Sequence, residues 1–281
     1  MNHPPPKSRP PCHRQQPNTP PTAWTDTADW YDHLVGQQGS EFQRHVVFPG
    51  ALRLLAPQPG ENILDVACGQ GAFCRLLHQH AAKATGVDAS PDLIKLARAR
   101  NSSLTPHPSP LAPSYHIADA RNLAFLPADT FAAAVCILAI QNIDKIPPVF
   151  HSISRVLAPA GRLVLVMVHP CFRGPKFASW AWDEQHNTQY RRVDRYLLPR
   201  KEPIVTHPGQ KTGQYTWTFH RPIHTYVKAL RNAGLLIDAL EEWPSHKTST
   251  SGPRAPAENA ARSEIPLFLA LRSIKIPPSN K

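Results

Sequence analysis

The sequence predicts an α/β fold, in which parallel strands alternate with helices and a ligand pocket opens at the carboxyl edge of the sheet. Three observations carry that expectation. The apolar run Ile63-Leu64-Asp65-Val66-Ala67 ends in a small-residue loop, Cys68-Gly69-Gln70-Gly71, and a helical pattern follows at once. A second apolar run, Ala84 to Val87, ends in Asp88, 23 positions after Asp65. Strand-like and helix-like runs then go on alternating to about residue 168, the pattern of a parallel sheet covered by helices.

The loop sets the chemistry. Gly69 and Gly71 lack a Cβ, so the backbone can turn sharply there and come close to a ligand. The following helix, about 72–81, presents its free N–H groups and the positive end of its dipole to that ligand. A dinucleotide fingerprint reads G-x-G-x-x-G. Here Cys74 stands in the third glycine's place, so a nicotinamide reading fails where helix and sheet must pack closely. Asp65 would repel a pyrophosphate and suits a cation, an ammonium or a sulfonium. Asp88, at the tip of the second strand, is placed to accept both hydroxyls of a ribose.

On these residues the chain resembles the class I S-adenosylmethionine-dependent methyltransferases, of the broad small-molecule kind (methyltransferase type 11-like). Asp65 to Gly71 is similar to their first motif, Val87 to Ser90 to the second, and Tyr115 to Ala120 to the third. Phe131 to Ile140 resembles the fourth strand. Arg162 to Val168 resembles the fifth, introduced by the Pro159-Ala160-Gly161 turn. The resemblance covers about Trp24 to Ser273. It implies a Rossmann-like seven-stranded mixed sheet in the order 3-2-1-4-5-7-6, with the last strand inserted beside the fifth, and S-adenosylmethionine (SAM) as cofactor. It also implies a set of cofactor-binding residues: Asp65 with Ala67, Gly69 and Gly71 in the loop, Asp88 and Ala89 at the ribose, and Asp119 and Ala120 at the adenine. After the fourth strand Leu138 and Ala139 would touch the cofactor, with Gln141 and Asn142 beyond them. Tyr31 is placed to cover the sulfonium by a cation–π contact worth about 0.5–2 kcal/mol.

In chain order, Met1 to Thr22 holds eight prolines before residue 22 and reads as a disordered tail. A short helix over 25–35 carries Trp30 and Tyr31 among aspartates, and a second, 41–55, is closed by Pro57 and Gly60. Strand 62–67, helix 72–81, strand 84–88 and helix 91–100 follow, with Ser90 as N-cap before Pro91. Residues 102–114 hold four prolines and read as a surface loop. Strands 115–118 and 131–140, helix 146–157 and strand 162–168 complete the alternation. Residues 170–221, rich in aromatics and arginine, and 244–262 read as irregular insertions forming a cap over the acceptor. Helix 222–233, strand 235–242, a short helix 256–263 and strand 265–272 end the domain, taken as 23–273. The last two strands form a hairpin-like antiparallel pair, and 274–281 reads as a tail.

Composition narrows the function. A chain of 281 residues buries a full core. No apolar run approaches 18 residues, so no membrane span is expected, and the proline-rich start does not read as a secretory signal. Five cysteines without a C-x-x-C pair point to reduced thiols in a cytoplasm. Cys68 and Cys136 read as small buried residues. The net charge is +11. Residues 23–172 are neutral in sum, whereas 173–231 carry 11 basic against 4 acidic side chains. Positive charge around the acceptor suits an anionic small molecule or, as the alternative, the phosphate backbone of a tRNA or rRNA. No appended RNA-binding motif accompanies it. A further alternative is a SAM-binding regulatory protein without turnover.

Methyl transfer from a sulfonium is an in-line displacement with a neutral leaving group, so placement can supply most of the catalysis. Where the acceptor must lose a proton, His169 is the expected base, directly after the fifth strand. Arg221 is the expected fork for an acceptor carboxylate, against the alternative that it ties the cap to the core. Trp180 and Trp182 either line the acceptor pocket or form the cap's own small core. The fifteen histidines show no metal-ligand spacing, and oligomeric state is not legible.

Overall fold

The computed structural model describes Trp24 and residues 27–102, 111–174, 176–205 and 215–277. The proline-rich tail 1–22, most of the loop 102–114 and the last residues, 278–281, lie outside the described residues.

Seven strands form one sheet: β1 (Asn62–Val66), β2 (Lys83–Asp88), β3 (Ser114–Ile117), β4 (Phe131–Ile137), β5 (Leu157–Val168), and, after the cap strands β6–β9 described below, β10 (Leu235–Trp243) and β11 (Phe268–Lys275). Their order is β3-β2-β1-β4-β5-β11-β10. With the cap strands set aside this is the expected 3-2-1-4-5-7-6, a Rossmann-like mixed sheet. The first five strands run parallel, and β11 is antiparallel to both β5 and β10. β11 runs to Lys275, two residues past the expected domain end.

Successive side chains of a strand point to opposite faces, and both faces are covered. Ile63 joins one buried cluster with Phe73, Leu77 and Ile94, under α2 (Phe48–Leu55), α3 (Ala72–Gln79) and α4 (Pro91–Ser102). Leu64 and Val66 join the other, with Phe150, Ile153 and Tyr226, under α5 (Ile146–Val156) and α6 (Ile223–Asn232). Ser90 caps α4 as expected, its hydroxyl accepting from the Leu93 amide at 3.4 Å.

One expectation gains a detail and another needs correction. The stretch 41–55 is helical throughout, as expected, but it contains a π-helical turn, Gln43–Val47, running into α2. Pro49 lacks an amide to donate backward, and the chain widens where that bond is missing. The stretch 170–221, expected to be irregular, contains two β-hairpins. β6 (Ala178–Asp183) pairs with β7 (Thr188–Val193), and β8 (Arg200–Val205) with β9 (Tyr215–His220). The period of two is present, as Tyr215, Trp217 and Phe219 alternate with Thr216, Thr218 and His220. Its apolar side is aromatic and its partners are cations, so it does not read as an ordinary core strand. α7 (Ala255–Glu264) closes the second insertion, and just before it Arg254 stacks on Trp182 and pairs with Glu184.

Helix α2 approaches the sheet through Gly50, where an added Cβ would lie 2.5 Å from the Trp243 ring. Gly50→Ala therefore lowers stability, by about 1–3 kcal/mol through overpacking, although alanine is the better helix former. Urea unfolding checks this, and an unchanged or raised midpoint refutes it.

Candidate functional site

A cavity of about 360 Å³ opens at the carboxyl edge of the sheet. Four chain segments meet there: the loop after β1, the end of β2, and the turns that follow β3 and β4. Its roof is Tyr31 of α1 (Ala28–Val35), with Trp24, and the side wall is β9. A small cavity of about 20 Å³ adjoins it, sharing Tyr31 and Ala67 and containing Asp65.

The loop is bent into left-handed backbone, with φ of 57° at Ala67, 56° at Gly69 and 79° at Gly71. A Cβ on Gly71 would fall 2.6 Å from the Tyr115 hydroxyl, and one on Gly69 would crowd the Tyr31 ring at 3.3 Å. Glycine is required at Gly71 on both counts. Leu138, after β4, also holds positive φ, 53°. Ala67 and Leu138 both line the main cavity, so strained backbone gathers around it.

Asp88 holds the loop in place. Its Oδ2 accepts from the Gly69 amide and its Oδ1 from the Ser90 amide, both at 2.9 Å. Burial pushes its carboxyl above the usual range even though backbone amides pull the other way. Each oxygen has a further lone pair beyond that bond, and Asp88 lines the cavity. Asp65 is 2 % exposed and accepts from the Cys74 thiol at 3.3 Å. Burial, with Asp88 nearby, raises its carboxyl to about 7. Cys68 and Cys136, expected to be buried thiols, are half-buried and buried.

The roof is strapped down. Gln70 donates to Gly36 O and Arg75 to Gln37 O, each at 2.6 Å, and Arg100 pairs with Asp32. Burial and the neighbouring acids push the Tyr31 phenol well above its usual range, so the ring stays neutral. Beyond β3, Ala118, Asp119 and Ala120 line the cavity. Burial raises the Asp119 carboxyl, but the Arg121 fork, at 2.9 Å from Nε, outweighs it and holds the carboxyl low. Ala89, Ala139 and Asn142 line the same cavity, whereas Gln141 does not. Asn142 Oδ1 is buried without a partner.

The structure redirects His169 and, for Arg221, Trp180 and Trp182, favours the structural one of the two alternatives. His169 lines neither cavity and is 1 % exposed. Its Nδ1 accepts from the Cys171 and Phe172 amides at 3.2 and 3.3 Å, and its Nε2 donates to Glu242 at 2.8 Å. Both nitrogens are committed, so it closes the turn after β5 instead of serving as a base. Arg221 also lines neither cavity. It donates to the carbonyls of Phe219, Ile143 and Asp144 and thereby ties the cap to the core. Trp180 lies under Arg173 and Arg191, at 4.9 and 5.0 Å, and belongs to the cap's own core, as does Trp182 under Arg254.

The basic surplus of the cap does not converge on the cavity. Arg200 stacks on Phe177, and Lys176 and Arg192 pair with Glu202 and Asp194. Among the described residues that line the cavity, Arg121 is the one cation, against Asp88, Asp119 and Asp144. Sequence reasoning missed the side wall, Thr216, Trp217 and Phe219, together with Leu93, Ile143 and Asp144. The aromatic alternation of β9 was the signal for the wall. Among the described residues no three His, Cys, Asp or Glu side chains gather as metal ligands would.

Comparison with known proteins agrees with this geometry. Residues 64–165 match the methyltransferase domain family. The chain is 29% identical over 157 residues to a demethylmenaquinone methyltransferase of Tropheryma whipplei, covering 56% of this chain and 57% of that protein. It is 32% identical over 122 residues to a 2-phytyl-1,4-naphtoquinone methyltransferase of Synechococcus elongatus, covering 42% and 51%. The chain thus spans about half the length of the curated relatives it matches. A crystal structure of an S-adenosylmethionine dependent methyltransferase from Mesorhizobium loti superposes with a TM-score of 0.62 at 28% identity, covering 80% of this chain and 96% of that one.

Two outcomes follow from the buried groups. The protonated Asp65 carboxyl contributes stability that is complete below pH 3.8 and is lost as pH rises through about 7. Asp65→Asn therefore gains on the wild type across that window, by on the order of 1.4 kcal/mol per pH unit. Urea unfolding at pH 4.5 and 8 checks it, and a constant difference refutes it. His169→Ala lowers stability by about 1–3 kcal/mol through its orphaned amides but leaves S-adenosylhomocysteine affinity unchanged by calorimetry. A weakened ligand at full stability would return His169 to the site.

Proposed function

The chain belongs to the class I S-adenosylmethionine-dependent methyltransferases, and on that premise we propose that it transfers a methyl group from SAM to an oxygen or nitrogen atom of a small, flat acceptor. The observation that carries this reading is the Asp88 carboxylate. It is half-buried at the tip of β2, pinned by the Gly69 and Ser90 amides, and lines a cavity large enough for a nucleoside. The residues fit SAM: a ribose acceptor at Asp88, a buried acid at Asp65, a neutral ring at Tyr31, and a glycine bend that no side chain fills.

When bound, SAM supplies an electrophilic methyl on a cationic sulfur that departs as a neutral thioether. Asp88 would hold the ribose hydroxyls, with Ala89 beside them. Asp119 and Ala120 would border the adenine, Asp119 being already fixed by Arg121. Asp65 and Tyr31 would lie toward the sulfonium, one by charge and one by its ring face. Leu138 and Ala139 would pack on the cofactor. Trp217 and Phe219 would exclude water and align the acceptor, the source of most of the acceleration. Asn142 Oδ1, buried without a partner, would accept a hydrogen bond from an acceptor N–H or O–H.

A small acceptor is favoured over RNA because Arg173, Arg191, Arg200 and Arg192 of the cap are engaged in ring stacking or an ion pair and so are not free to track phosphates. The names of the relatives, acting on quinone-type rings, support a flat ring. Incubation with radiolabelled SAM and a fractionated cell extract tests the reading: label enters a small-molecule fraction, and label in RNA or in no fraction refutes it. Asp88→Asn weakens S-adenosylhomocysteine at least tenfold in calorimetry, about 1.4 kcal/mol, with the fold intact by circular dichroism. Equal affinity refutes the ribose assignment.

A further inference from the structure

We propose that Lys201, standing on the aromatic wall of the cavity, recognises an acidic substituent on the acceptor, so that the acceptor class is the small aromatic acid. This rests on the methyltransferase reading above and deepens it.

The wall comes from one hairpin. In its register Lys201 of β8 lies opposite Phe219 of β9, and Pro203 opposite Trp217. Directly opposed residues of an antiparallel pair share a face. The Lys201 ammonium accordingly lies 4.0 Å from the centre of the Trp217 ring and 5.8 Å from that of Phe219. Both rings line the cavity. A cation over aromatic faces is held in place while its outer hemisphere stays open to an anion.

Lys201 has no carboxylate among the described residues, because its neighbour Glu202 pairs with Lys176 at 3.0 Å. The other cations near the cavity are committed. Arg121 is forked to Asp119, and Arg221 is spent on backbone carbonyls. The cavity is therefore polarised. Three carboxylates, Asp88, Asp119 and Asp144, line it, while the Lys201 ammonium, exposed and outside the lining itself, lies over Trp217 of its β9 wall with no carboxylate partner among the described residues. An aromatic acid laid against Trp217 and Phe219 would be repelled by those carboxylates and drawn to Lys201. Its opposite edge would then face the transferred methyl. A neutral ring would stack as well but in no preferred sense.

The test uses the full chain saturated with S-adenosylhomocysteine, titrated with 2-naphthoate and with its neutral isostere 2-naphthamide. The wild type binds the acid at least fivefold more tightly than the amide. Lys201→Gln loses that preference through weaker binding of the acid, with amide affinity unchanged, and Lys201→Arg restores it. Equal affinities in the wild type, survival of the preference in Lys201→Gln, or failure of both naphthyl probes to bind overturns the proposal. The S-adenosylhomocysteine titration is read separately, so a failed donor site is distinguished from a failed acceptor preference.

Discussion

The site depends on one half-buried carboxylate at the tip of β2. Asp88 is the only described side chain that bonds the Gly69 amide, and it bonds the Ser90 amide as well, so it joins the bend after β1 to the entry of α4. The bend needs that support because three of its residues hold left-handed backbone. It is also shaped from below. The parallel register sets Asp65 beside Gly86, and a Cβ on Gly86 would meet the Cys68 thiol and the Tyr115 ring, both at 2.8 Å, and the Cys74 thiol at 3.0 Å. Gly86 thus makes room for two thiols and a ring that pack beneath the loop. A missing side chain on one strand and a carboxylate at its end together fix where the backbone can approach a ligand.

Holding acids in such a place has an electrostatic consequence. Burial raises the carboxyls of both Asp65 and Asp88, so in the ligand-free protein each is less stable as an anion than in water. A cation bound near them would favour the charged form. The cost of burying the acids is then recovered as discrimination: a cationic donor is favoured and a pyrophosphate is doubly disfavoured. Tyr31 closes the same space with a phenol that does not ionise, so the roof adds a polarisable face and no charge.

The legible part of this protein is the part in which backbone dictates residue type. Gly69 and Gly71, the acids ending or interrupting strands, and Ser90 before Pro91 each announce a conformation or a hydrogen bond that few other residues supply, and from them the strand–helix alternation and the cavity floor can be read, while the sheet order is what the resemblance they carry implies. The rest failed for physical reasons. His169 and Arg221 sit directly beyond regular elements, where the chain turns and spacing no longer says which way a side chain points. His169 turned inward to satisfy amides and Glu242, and Arg221 to satisfy carbonyls. The hairpins of the cap were hidden because their rings are covered by guanidinium groups, as Trp180 is by Arg173 and Arg191. A strand stabilised in that way carries aromatic and charged residues where an ordinary core strand carries aliphatic ones.

That construction separates donor from acceptor. The donor cleft belongs to the sheet, whose seven strands are covered on both faces and cannot shift singly without disturbing two cores. The acceptor wall belongs to one hairpin, joined to the sheet mainly where Arg221 grips the turn after β4 and where the Thr218 hydroxyl reaches Gln141 O. Because Arg221 also lies 5.3 Å from the Phe219 ring, the contact that docks the hairpin orients the wall. On the proposed reading, substitutions along β8 would change which ring is accepted while the Arg221 anchor and the strand tips stay as they are. Much of the cap's basic surplus acts as structural cement, as Arg173 and Arg191 do on Trp180 and Arg200 on Phe177, whereas Lys201, the proposed acceptor cation, lies on Trp217 with no carboxylate partner among the described residues.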